Sequence, residues 1–126
     1  MTEDLRAQVR HYASSSPVEW HRLVELGPEG LPYVVEAFHE ATGRAAKIDL
    51  IGVVREYRTA EALPFFEELL RQDNADLWKA SLDGLVVLGG KPALDVLTAA
   101  RGSASADKRE WIDEAIEQIG DSERPG

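Results

Sequence analysis

The residue types that most often carry chemistry are sparse in this chain. It has three histidines, His11, His21 and His39, and no cysteine. His21 and Glu25 stand one helical turn apart, as do Glu36 and His39. Glu-x-x-His is half of the pattern that holds a pair of metal ions in a helix bundle, but that pattern needs a second copy and two further carboxylates. No second copy exists, so Glu36 and His39 read as a surface pair. HExxH is absent, and without cysteine the common zinc sets are out of reach. The stretch from Asp73 to Gly84, DNADLWKASLDG, has the length of a calcium loop. Its ligand spacing is wrong, with Leu77 where an oxygen donor should stand. Gly89-Gly90-Lys91 lacks the frame of a phosphate loop and reads as a helix corner. Ser81, Ser103 and Ser105 lie in no nucleophile elbow. The sequence therefore predicts no catalytic residue, no metal and no cofactor.

What remains is surface chemistry. The formal net charge is −9, and the excess is uneven: −4 falls between residues 16 and 42, and another −4 between 103 and 126. Nucleic-acid binding needs cations that displace counterions, so this sign argues against it. It favours a basic protein partner drawn in by long-range attraction. The competing explanation is that acidity only keeps the protein dispersed. Lack of cysteine fits a reducing compartment, no apolar run is long enough to span a bilayer, and the N-terminus shows no signal-peptide core. A cytoplasmic protein, monomeric or weakly oligomeric and free of membrane, is the expectation.

These surface groups must be held by something, and the holding elements repeat. Leu23, Val54, Leu85 and Ile116 are each 31 residues apart, as are Leu26, Tyr57, Leu88 and Ile119. Gly27, Gly89 and Gly120 fall on the same grid, with Arg58 as the exception. Asn74 to Gly102 is the clearest unit. Asn74 suits an N-cap, Leu77, Leu82, Leu85 and Leu88 make one helical stripe, and Gly89-Gly90 closes the helix before Pro92 opens the next. Other second helices start alike at GLPYVVEAF and ALPFFEELL. Self-similarity at such a period predicts stacked helical hairpins, each covering the apolar face of its neighbour. On the grid Trp78 matches Lys47 and Arg109, and Trp111 matches Asp49 and Ala80. An aromatic ring where its counterparts are polar is a candidate exposed anchor. Trp20 matches Ile51 and Leu82 and reads as core.

The predicted organisation is all-α: a right-handed α-solenoid of about three hairpins forming one domain over residues 1–120. A capping helix covers 2–13, with Thr2 as its cap. Repeats follow at 16–41, 43–72 and 74–102, and a second capping helix at 105–119. Ser16-Pro17-Val18-Glu19 has the form of a capping box, Thr59 and Ser105 are further caps, and 121–126 reads as a disordered tail.

The LGG-KPAL corner at Leu88–Leu94, the ALP start at Ala62–Pro64 and the Asp or Asn before first helices resemble the short bacterial HEAT-like repeats of the kind seen in phycobilin lyases. The resemblance covers about Pro17 to Gly120. It implies that second helices line a concave, partner-binding face. Their outward positions here include Glu36, Glu40, Glu67, Glu68, Arg71, Asp95, Thr98 and Arg101, and the four glutamates would make an acidic groove. Glu36, Glu40, Glu67, Glu68, Arg71 and Asp95, with Trp78 and Trp111, form the expected partner-binding set. The expected function is a non-catalytic protein–protein interaction module with a basic partner, in its narrower form an immunity protein that neutralises a bacterial toxin domain. The alternative implied by the resemblance is a phycobilin-lyase-like enzyme or accessory factor. A DNA-alkylation-repair-like protein is a third, opposed by the sign of the charge.

Overall fold

The computed structural model describes residues 4–123. Among them lie eight α-helices and no strand: α1 (Leu5–Ala13), α2 (Trp20–Leu26), α3 (Leu31–Glu40), α4 (Arg44–Tyr57), α5 (Leu63–Leu70), α6 (Ala75–Leu88), α7 (Gly90–Gly102) and α8 (Ala106–Glu123). Short 3-10 turns lead into α3 and α5, where Pro32 and Pro64 occupy the first helical turn and lose no hydrogen bond.

The chain groups into two compact units that meet in sequence at Arg58–Thr59. In the first, α1 packs on α2 and α3, and both of these pack on α4. Val9, Leu23, Val34, Phe38, Leu50 and Val54 form its core, each at most 1% exposed. In the second, α5 packs on α6 and α7, and both pack on α8. Phe66, Leu69, Leu85, Leu97, Ile112 and Ile119 are buried to the same degree. The two units thus repeat one neighbour pattern, with α1 and α5 in corresponding places. Among the described residues no helix is long and apolar enough to cross a membrane.

Several caps stand where the sequence puts them. The Asn74 side chain accepts from the backbone N–H of Asp76 at 3.0 Å and of Leu77 at 3.4 Å, satisfying two of the donors a helix start leaves free. Thr59 accepts from Glu61 N–H, and Ser105 from Lys108 N–H, each at 3.3 Å. Other boundaries differ. Thr2 lies outside the described residues, and Asp4 caps α1 through Arg6 N–H. The Ser16–Glu19 capping box does not form. Glu19 N–H donates to Tyr12 O at 3.1 Å, which draws this stretch back along α1, and α2 begins only at Trp20. Trp20 is half-buried rather than core, its indole lying against α4 at Gly52. The last helix passes Ile119 and Gly120 and continues to Glu123, so 121–123 are helical. Glycine permits a stop without imposing one. At Gly89 and Gly90, φ values of 63° and 79° turn the chain directly from α6 into α7, whereas no positive φ occurs at Gly120.

Arg58 takes up the same role without being a glycine. It ends α4 at φ 49°, ψ 45°, in the left-handed region. A side chain there crowds the following carbonyl. Arg58→Gly should therefore raise the unfolding free energy by about 0.5–1 kcal/mol, the relief of strain exceeding the added freedom of the unfolded chain. Chemical denaturation of both proteins checks this; a loss of stability would show that Arg58 is held by interactions glycine cannot replace.

Candidate functional site

A concavity of the second unit lies where α5 and α7 end and α8 begins. It measures about 600 Å³. Glu67 and Leu70 of α5, Arg71 and Asp73 of the following turn, Val96, Ala99 and Ala100 of α7, Ser103, Ala104 and Ser105 of the next turn, and Asp107 and Lys108 of α8 line it together with Trp78 of α6.

Its origin can be traced through the repeat. The first unit has a smaller hollow of about 300 Å³, lined by Arg10, Ala13, Ser14, Ala37, Glu40 and Ala41. A shift of 57 residues carries α1 onto α5, and 63 carries α3 onto α7. The same shifts turn those six residues into Glu67, Leu70, Arg71, Ala100, Ser103 and Ala104, all of which line the larger cleft. In the first unit Arg6 donates to Glu36 at 2.9 Å, and Arg10 lies 3.7 Å from Glu40. The second unit has Ala99 and Ser103 in place of those two glutamates. Removing two long side chains leaves the space open.

The charges of the cleft are unequally committed. Glu67 and Arg71 form an ion pair at 2.8 Å along α5. Lys108 is turned inward: its Nζ donates to Leu70 O at 2.7 Å and to Gln72 O at 3.1 Å, and lies 5.5 Å from the centre of the Trp78 ring. It thereby serves carbonyls that the end of a helix leaves without partners, where the helix dipole also favours a cation. Asp73 and Asp107 are exposed and form no ion pair among the described residues.

The expected binding residues separate on this framework. Glu67 and Arg71 reach the cleft. Glu68, next along α5, is exposed and lies outside its lining. Glu36 and Glu40 do not form an open acidic groove, because α1 runs along α3 and brings Arg6 and Arg10 onto them. The hydrogen bond and charge of Glu36 in turn raise the pKa of the Arg6 guanidinium. Asp95 pairs with Lys91 at 2.9 Å, and Arg101 with Asp113 at 2.5 Å, which ties α7 to α8. Trp78 is not an exposed anchor: it is 4% exposed, because α8 packs beside α6 and lays Trp111 and Lys108 against the ring. Trp111 does stand out, 41% exposed, edge-on to Trp78 at 6.3 Å, with Lys79 Nζ 4.4 Å from its ring centre.

Asp73, Asp107 and Lys108 were not among the expected site residues. The small residues Ala99, Ala100, Ser103 and Ala104 were the available signal, since alignment with α3 shows two glutamates missing. His11, His21 and His39 are all exposed and none lines the cleft. Among the described residues no three His, Asp or Glu side chains are grouped to hold a metal ion. No protein-family model, curated protein or solved structure matches the chain.

Proposed function

We propose that this chain is a HEAT-like, non-catalytic interaction module for a basic protein, and that it binds through the cleft of its second unit and the neighbouring Trp111. The supporting observation is the pair of uncommitted carboxylates, Asp73 and Asp107, on an open concavity whose other charged groups already have partners in the chain. Such groups steer a cationic partner and fix its orientation more than they add affinity. Trp111 adds the kind of exposed aromatic surface that concentrates binding energy. Neutralisation of a toxin as an immunity protein is one form this activity would take, the acidic cleft covering a basic functional surface.

The test is affinity capture from cell lysate and secreted protein of the source organism. Wild type is compared with Asp73→Lys/Asp107→Lys, with Trp111→Ser, and with Glu29→Gln as a control in the first unit. A basic protein held by wild type and the control, and reduced at least tenfold by either cleft-side change, supports the reading. Equal retention by all four proteins, or capture of an acidic protein alone, overturns it. Where a partner is found, co-expression that relieves its toxicity would establish the immunity form.

A further inference from the structure

We infer that the cleft of the second unit is a receptor for an arginine side chain presented by the partner polypeptide. This rests on the interaction-module reading above and names the group that enters the site.

The first unit supplies an internal precedent. On the rim of its hollow Arg10, half-exposed, approaches Glu40 at 3.7 Å. The corresponding position on α5 is Glu67, so the second unit provides no arginine of this kind. Arg71 is held along α5 by Glu67. The second unit thus keeps the hollow, enlarges it from about 300 to about 600 Å³, and has Glu67 on its wall where the first has Arg10; its own two cations, Arg71 and Lys108, are already engaged by Glu67 and by the Leu70 and Gln72 carbonyls.

What surrounds the space favours a cation. α5 ends at Leu70 and α7 at Gly102, and both ends border the cleft. Helix C-termini carry negative partial charge. Lys108 already shows that an ammonium is accommodated at one of them, through Leu70 O and Gln72 O. Asp73 follows Gln72 and Asp107 precedes Lys108, and both carboxylates line the same opening. A planar guanidinium with five donors can engage two carboxylates and a carbonyl together, where an ammonium offers only a point charge. Ala99 and Ala100 leave room for its aliphatic stem.

The experiment titrates the isotopically labelled full-length chain with the blocked tripeptide acetyl-Gly-Arg-Gly-amide and with its twin carrying citrulline, which keeps the shape and loses the charge. Amide and indole resonances are followed by NMR. The expected result is saturable shifts at Asp73, Ala104, Asp107 and the Trp78 indole with the arginine peptide, and at least tenfold weaker binding of the citrulline peptide. Asp73→Asn/Asp107→Asn and, separately, Ala100→Leu should each weaken the arginine peptide at least tenfold with the far-UV circular dichroism unchanged. The first change removes the charge and the second fills the space, so a folding defect in one leaves the other as the test. Equal binding of the two peptides, or shifts confined to surfaces away from the cleft, overturns the proposal. If the arginine peptide leaves the cleft untouched while a captured partner is still lost on Asp73→Lys/Asp107→Lys, the arginine receptor falls and the interaction module stands. If the peptide binds as expected while the captured protein is retained equally by all four proteins, the arginine site stands and the reading of the cleft as the partner-binding surface fails.

Discussion

Replacing Gly84 with alanine is expected to lower the unfolding free energy by about 2 kcal/mol, the cost of forcing volume into a filled core. Gly84 lies inside α6, where alanine would ordinarily gain about 1 kcal/mol in helix propensity. Packing decides the sign. A Cβ at this position would collide with the Phe66 ring, meeting Cζ and Cε1 at no more than 2.5 Å and Cε2 at 3.0 Å. Phe66 is 1% exposed and sits beside the Phe65 ring, so it has no open space to enter. Register explains why a glycine is needed. Val53, Gly84 and Ala115 are spaced by 31 on the first helices, and Val34, Phe66 and Leu97 hold the matching places on the helices before them. The pairs are Val with Val, Phe with Gly and Leu with Ala, so the residue on the second of the two helices shrinks as its partner grows. Gly84→Ala/Phe66→Leu would rebuild the third pair inside the second. It should recover to within about 1 kcal/mol of wild type, a favourable coupling of the size seen between touching residues. Urea denaturation of the four proteins in the cycle checks this. A neutral or stabilising Gly84→Ala would show that the helices separate at no cost.

The same register governs what was legible in the sequence. Helices were readable because leucine, valine and isoleucine recur at helical spacing, and the caps at Asn74, Thr59 and Ser105 because each is one side chain acting on its own helix. Pairings between helices distant in sequence were not. Arg6 and Arg10 are one turn apart, and so are Glu36 and Glu40. Matching spacing was visible, but only the packing of α1 along α3 makes them partners. Trp78 shows the opposite error. Its grid counterpart Lys47 is polar, which suggested a solvated position. Yet Lys47 is half-buried: its Nζ donates to Phe38 O at 3.1 Å and lies 4.4 Å from the Phe38 ring centre. A lysine can run its stem through an interface and deliver the charge at the edge, so a polar type on the grid did not mean an exposed place. The cleft was hidden for a related reason, since it arises from side chains that are missing at Ala99 and Ser103 and not from any residue present.

Tyr57 carries the second large effect, and its readout is alkaline pH. The residue is 6% exposed, and its hydroxyl donates to Leu23 O at 2.7 Å. That carbonyl needs an outside partner because Gly27 N–H, four residues on, donates instead to Val24 O at 3.1 Å as α2 ends. Burial penalises the phenolate and pushes the Tyr57 pKa up from 10.0 to about 12. The folded state therefore holds the proton more tightly than the unfolded chain. The associated stability is fully present below pH 10 and is lost as pH rises through about 12. For this displacement the total is about 2–3 kcal/mol. Wild type should accordingly show a steep fall in unfolding free energy over that interval, and one of its three phenolates should appear in the absorbance titration about two pH units later than an ordinary tyrosine. Tyr57→Phe should cost about 1–3 kcal/mol at neutral pH by leaving the Leu23 carbonyl without its partner. The variant should also lose less than wild type between pH 10 and 12, so that the two stability curves converge. Parallel curves across that range would show that the Tyr57 hydroxyl ionises in contact with water, and that the α2–α4 contact in the first unit opens before the rest of the unit unfolds.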